Sequence, residues 1–89
     1  MREIIYSSKI KKDLKLYLKR GEDLDPFYEV VEKIANGVPL DPSNEDHPLK
    51  GKFAGKRDCH IEPDWVLIYA ITKKTLTLYR TGTHSDLYK

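Results

Sequence analysis

The groups able to do chemistry in this 89-residue chain are three histidines, His47, His60 and His84, and the carboxylates that lie near them. The densest cluster is Cys59-His60-Ile61-Glu62-Pro63-Asp64-Trp65, with an imidazole, two carboxylates and the one tryptophan around a proline turn. Imidazoles, with an ordinary pKa near ~6.5, hold or release a proton at neutral pH. An aspartate beside one, as the turn would bring Asp64 beside His60, orients the ring or acts as base itself. Such groups suit cleavage of RNA, which supplies its own nucleophile in the 2′-hydroxyl. The reaction then needs a base for that hydroxyl, an acid for the departing 5′-oxygen and positive charge for the phosphorane. Taken singly, each histidine is first a structural or surface group. Only their convergence in one pocket would make a catalyst.

Rival chemistries have weaker support. A zinc site asks for ligands in close pairs such as C-x-x-C or H-x-x-x-H, and the chain has neither. Cys59 and His60 cannot act as a nucleophile pair, because adjacent strand residues point to opposite faces, so Cys59 is expected in the core. The five glycines are isolated, without a phosphate-cradling pattern. No metal and no cofactor is expected. Trp65 and Tyr88 are available to stack bases, with packing in the core or at its rim as the other role for Trp65.

The elements that must position these groups can be taken from apolar spacing. Asp58, His60 and Glu62 alternate with Cys59 and Ile61, the period of a half-buried strand. Trp65 to Ile71 is a near-continuous run of β-formers, expected as a central strand joined to the first through Pro63-Asp64. Glu3 to Tyr6 makes a plausible edge strand. Ser7 or Ser8 can cap a first helix whose stripe is Ile10, Leu14, Tyr17 and Leu18, stopped at Gly21. Asp25 is expected to cap a second helix with Pro26 at its first position and Phe27, Val30, Val31 and Ile34 on one face. Val38 to Leu49 is expected as loop, Lys52 to Ala54 as a short strand or bend, and Thr75 to Thr81 as the last strand. The order β-α-α followed by a three- to four-stranded antiparallel sheet predicts an α+β domain over residues 1–89, with both helices on one face. His60 and Glu62, with Arg57 or Tyr79 at the margin, would line the other, open face; Leu67 fits that face poorly.

Composition bounds the function. Charged residues make up 34% of the chain, yet the net charge is only +2, which permits contact with nucleic acid without demanding it. Lys9, Lys11, Lys12, Lys15, Lys19 and Arg20 crowd the first helix, either as a solvated face or as phosphate contacts. One cysteine rules out an internal disulfide, which fits a reducing cytoplasm. No signal peptide is visible, and the longest apolar run falls far short of the ~20 residues of a membrane helix, so no membrane partner is expected.

Three blocks together carry a resemblance. Asp46-His47-Pro48-Leu49-Lys50-Gly51, then Arg57 to Trp65 running into Leu67-Ile68-Tyr69, then Arg80-Thr81-Gly82-Thr83-His84-Ser85-Asp86-Leu87-Tyr88 resemble the YafQ branch of the RelE toxin superfamily in order and spacing. The resemblance implies a RelE-like fold and the toxin of a type II toxin–antitoxin pair. It implies an endoribonuclease that cuts mRNA at the A site of the 70S ribosome, with an antitoxin protein as partner. It places the catalytic groups at His47, His60, Asp64 and His84. His84 would be the acid for the 5′-oxygen, His60 or Asp64 the base, and His47 an aid to phosphate or proton handling. Trp65 and Tyr88 match family positions beside the active groups; Arg57, Arg80, Lys11, Lys12 and Lys15 are candidates for RNA contact. A superfamily relative of another kind, such as a gyrase poison, would use the same fold to bind a protein without cutting RNA.

Overall fold

Helix α1 (Ser8–Lys19) starts where a hydroxyl can take up its free amides. Ser7 Oγ accepts from the Ile10 amide at 3.1 Å and donates to the Tyr79 carbonyl at 2.9 Å, so the cap also fastens the helix to the sheet. Ile10, Leu14 and Tyr17 are buried, whereas Leu18 turns outward and is 57% exposed. After the connection through Gly21, α2 (Asp25–Ala35) buries Phe27, Val30, Val31, Ile34 and Ala35. Its cap differs from expectation. Leu24 occupies the N-cap without a side-chain bond, and Asp25 is the first helical residue, its amide held by Asp23 Oδ1 at 3.0 Å.

The computed structural model describes residues 1–88 and contains a five-stranded sheet in the order β1-β5-β4-β3-β2. Its strands are β1 (Glu3–Tyr6), β2 (His47–Pro48), β3 (Arg57–Glu62), β4 (Trp65–Ile71) and β5 (Thr75–Gly82), followed by a short helix α3 (His84–Leu87). The α+β architecture with both helices on one face is as the element order predicts. The sheet is mixed, however, because β1 runs parallel to β5 at one edge. The two helices intervening between β1 and the rest of the sheet provide the long crossover that a parallel pair requires. The short strand β2 also lies within the stretch expected as loop. Residues 52–54 do not extend, because Gly51 (φ +66°) bends the chain into a tight 3-10 turn over Gly51–Phe53, and His47–Pro48 pairs with β3 instead.

The β3–β4 hairpin decides which side chains meet the helices. A simple two-residue turn would set His60 opposite Leu67. The register instead shifts between His60 and Glu62, pairing Cys59 with Leu67, His60 with Val66 and Glu62 with Trp65. The extra residue is a β-bulge. It sends Trp65, Leu67 and Tyr69 to the helix side with Cys59, Leu76 and Leu78, and removes the misfit at Leu67. Glu62, past the bulge, leaves the His60 row. The face bearing His60 is not open either: Val66 and Ile68 are fully buried beneath Leu87, with Leu49, Phe53 and Tyr79 around them.

Trp65 is therefore a core residue. It is 3% exposed, stacks on Tyr17 with ring centroids 4.6 Å apart, and donates its indole N–H to Thr81 Oγ1 at 2.9 Å. Its faces are not offered to a base. Trp65→Ala should lower the unfolding free energy by about 3–5 kcal/mol, as for other buried aromatics, measured by urea denaturation. A variant that unfolds like the parent would remove Trp65 from the core.

Candidate active site

Asp64 sits at the tip of the hairpin and reaches across to α3. Its Oδ1 accepts from the His84 amide at 3.0 Å and contacts His84 Nδ1 at 2.6 Å. These two bonds, the amide first, hold the Asp64 carboxyl below its ordinary pKa, so it stays ionised. An ionised carboxylate can only accept, so His84 Nδ1 carries the hydrogen and Nε2 is left for exchange. Asp64 thus partners His84, not His60 as the turn alone suggested.

His60 faces His84 edge to face, with centroids 5.1 Å apart and planes at 87°. Its own Nδ1 lies 3.1 Å from Glu45 Oε2, and its carbonyl accepts from Asn44 Nδ2 at 2.6 Å. His47, opposite Asp58 in the β2–β3 ladder, bonds through Nδ1 to the Glu45 carbonyl at 2.7 Å. Glu45 therefore holds two histidines, one with its side chain and one with its backbone. It does so from a left-handed conformation (φ +48°), which a non-glycine residue adopts at a cost. All three imidazoles meet an acceptor at Nδ1 and keep Nε2 for chemistry.

Tyr88 closes the far side. Its ring lies 6.3 Å from that of His84 and meets the Phe53 edge at 5.9 Å, and it remains 40% exposed. The phenol donates to Asp58 Oδ2. Burial, reinforced by that carboxylate, raises the Tyr88 pKa. Asp58 is 3% exposed, and its Oδ1 has no hydrogen-bond partner among the described residues.

Helix α3 is short and would not hold His84 unaided. Thr83 and Asp86 form a reciprocal capping box, and Arg20 grips Asp86 with two bonds of 3.0 and 3.3 Å. Gly82 makes room for this: a Cβ there would lie 3.0 Å from the Asp86 side chain. The grip of Arg20 is the largest influence on Asp86 and lowers its pKa to about 2.

Of the residues singled out in the sequence, the structure gathers His60, Asp64, His84 and Tyr88, with His47 alongside through Glu45. Others go elsewhere. Arg57 shares the helix side of β3 and bonds Asp46 Oδ1 at 3.1 Å, which also accepts from the Tyr69 phenol at 2.6 Å. Arg80 forks onto Asp13 at 2.7 and 3.0 Å. Both guanidinium groups are committed to carboxylates, which argues against phosphate roles. Lys11, Lys12 and Lys15 are exposed along α1. Cys59 is fully buried, and burial raises its thiol pKa, so it is unreactive. Among the described residues, no group of three or more histidine, cysteine or acidic side chains could hold a metal ion. Glu45 and Asp58 were missed by sequence reading. Asp58 had one visible signal, an acid on the His60 parity in the interior of a strand; Glu45 had none.

Comparison with known proteins shows the family. Residues 2–89 match the family model described as a bacterial toxin of type II toxin–antitoxin system, YafQ. The chain belongs to the YafQ toxin family. The mRNA interferase toxin YafQ of Escherichia coli K12 is 47% identical over 88 residues, spanning 98% of this chain and 96% of that protein. The crystal structure of YafQ from E. coli BL21(DE3) superposes with a TM-score of 0.93 at 41% identity over the whole of both chains. A chain of the E. coli DinJ–YafQ toxin–antitoxin complex gives 0.90 at 44% identity, covering 99% of this chain and 98% of that one. No helix among the described residues is long and apolar enough to cross a membrane.

The Asp86 shift sets a pH dependence. A carboxyl whose folded pKa lies below its unfolded value of 3.8 adds stability in full above pH ~4, and loses it as pH falls towards about 2. Arg20→Ala should therefore loosen α3 at a higher pH on acid titration, followed by the amide signals of His84 and Tyr88. Coincident titrations would show that Arg20 is not the anchor.

Proposed function

We propose that this YafQ-family toxin is an endoribonuclease of the cytoplasm that cuts mRNA in the A site of the 70S ribosome by attack of the 2′-hydroxyl on the adjacent phosphate. The observation that carries this reading is the His60–His84 pair, two imidazoles 5.1 Å apart with both Nδ1 atoms held by carboxylates. His84, protonated, delivers the Nε2 proton to the departing 5′-oxygen, and Asp64 steadies the imidazolium and fixes its direction. His60 takes the 2′-hydroxyl proton at Nε2. Asp64 is a poor base here, since its Oδ1 already accepts from two donors of His84 and these hold its pKa below the ordinary value. His47 stands beside His60 to bind the phosphate or relay protons. Tyr88, exposed beside His84, offers a surface for a base or sugar.

The antitoxin is the second partner. An uncontrolled ribonuclease needs an inhibitor, and a small acidic protein whose tail folds over the basic surface suits this chain. The family description and the DinJ–YafQ complex support such a partner.

His84→Ala should abolish growth arrest and reduce mRNA cleavage on translating ribosomes by ~10²-fold or more, with the fold retained by circular dichroism. Cleavage by the parent should decline as rising pH removes the imidazolium proton. Full toxicity of His84→Ala would end the acid assignment. Growth arrest without new mRNA 5′ ends, accompanied by inhibited supercoiling, would favour a gyrase-binding toxin instead.

A further inference from the structure

A groove of about 510 Å³ runs beside the histidine cluster, within the roughly 300–1,000 Å³ range of ligand clefts. Lys9, Lys52, Lys56, Phe53, Tyr79 and Leu87 line it. Arg80 also borders it but is neutralised by Asp13. The three lysines make no ion pair among the described residues. Two of them rest on aromatic faces instead, Lys56 Nζ 4.6 Å from the Tyr79 ring centroid and Lys52 Nζ 5.3 Å from that of Phe53. Aromatic contacts hold an ammonium in place without cancelling its charge. Three uncancelled cations gather here in a chain whose net charge is +2, so the groove is more basic than the molecule as a whole. By contrast, the concavity along α2 is bordered by Glu29, Glu32 and Lys33 and would repel a polyanion.

We infer that this groove binds single-stranded RNA, holding the nucleotides on the 3′ side of the cut. Cationic rims beside aromatic walls are the elements that single-strand sites use for phosphates and bases. The direction follows from continuity with the active site. Phe53 meets Tyr88, and Tyr88 flanks His84, whereas Glu45 and Asn44 border the opposite, His60 side. If His84 protonates the leaving 5′-oxygen, the nucleotide carrying that oxygen lies on the Tyr88 side and its strand continues into the groove. The inference rests on the nuclease reading for its polarity, and on the groove itself for RNA binding.

The test is binding of a 2′-O-methyl RNA oligonucleotide, which cannot be cut, followed by amide shifts of the isotopically labelled protein. The largest shifts are expected at Lys9, Lys52, Phe53, Lys56 and Tyr79. The Lys52→Gln/Lys56→Gln double variant, with both changes at the surface, should raise Kd several-fold. The slope of log Kd against log salt should fall by about 1.4 in magnitude, at ~0.7 for each phosphate that a lysine no longer neutralises. A nitroxide at the 3′ end should broaden the groove residues, and one at the 5′ end those near Glu45. Shifts centred elsewhere, an unchanged salt slope, or equally tight binding of polyglutamate at the groove would overturn the proposal. So would broadening of the groove by the 5′ label. Cleavage on ribosomes is scored separately: a parent that cuts mRNA while the groove stays silent loses only the groove, and one that binds RNA there without cutting loses only the nuclease.

Discussion

The bulge between His60 and Glu62 is the constraint on which the rest of the molecule depends. Side chains on a strand alternate in direction, so one extra residue moves every later side chain to the other face. Without it, Trp65, Leu67 and Tyr69 would point away from the helices, leaving only Cys59, Leu76 and Leu78 of the buried strand residues against Ile10, Phe27 and Ile34. With it, the same strands place His60 and Val66 on the second face, and the turn carries Asp64 to the point where it can meet α3. Core and site are thus two results of one register.

The second face is assembled from pieces that cannot order themselves. Helix α3 has four residues, too few to be stable in isolation. It is held by the capping box, by Arg20 on Asp86, by Leu87 over Val66 and Ile68, and by Asp64 at the His84 amide. On the other side Glu45, in a conformation it would not choose alone, fixes the rings of His47 and His60. Each imidazole is directed at Nδ1 by an acceptor, which leaves a common set of Nε2 atoms turned to chemistry. Buried Asp58 holds the last aromatic in place through its phenol.

Charge is divided between holding the fold and binding. Three of the four arginines, Arg20, Arg57 and Arg80, are spent on Asp86, Asp46 and Asp13, where planar forks suit carboxylates. Lysines are left for the surface, and two of those in the groove, Lys52 and Lys56, rest on rings. A residue type that promises phosphate binding in a sequence can therefore be a structural tie once folded. Arg57 and Arg80 show this most clearly.

Much was legible in the sequence because it is local. The two helices follow from apolar spacing, the Ser7 hydroxyl and Pro26; the hairpin follows from alternation around Pro63-Asp64; the three histidine blocks identify the family. What spans distant segments was not legible. Pairing of β1 with β5, the bulge, β2 within the expected loop, and helix α3 all depend on contacts between parts far apart in the chain. So do the partners of the titratable groups. His60, Asp64 and His84 could be named from residue type and order, but that Asp64 serves His84 while Glu45 serves His60 follows only from where folding brings the hairpin tip and the loop. Local sequence determines which backbone shapes and which functional groups are present; the register of the sheet, set by burial of the whole apolar surface at once, decides which of those groups meet.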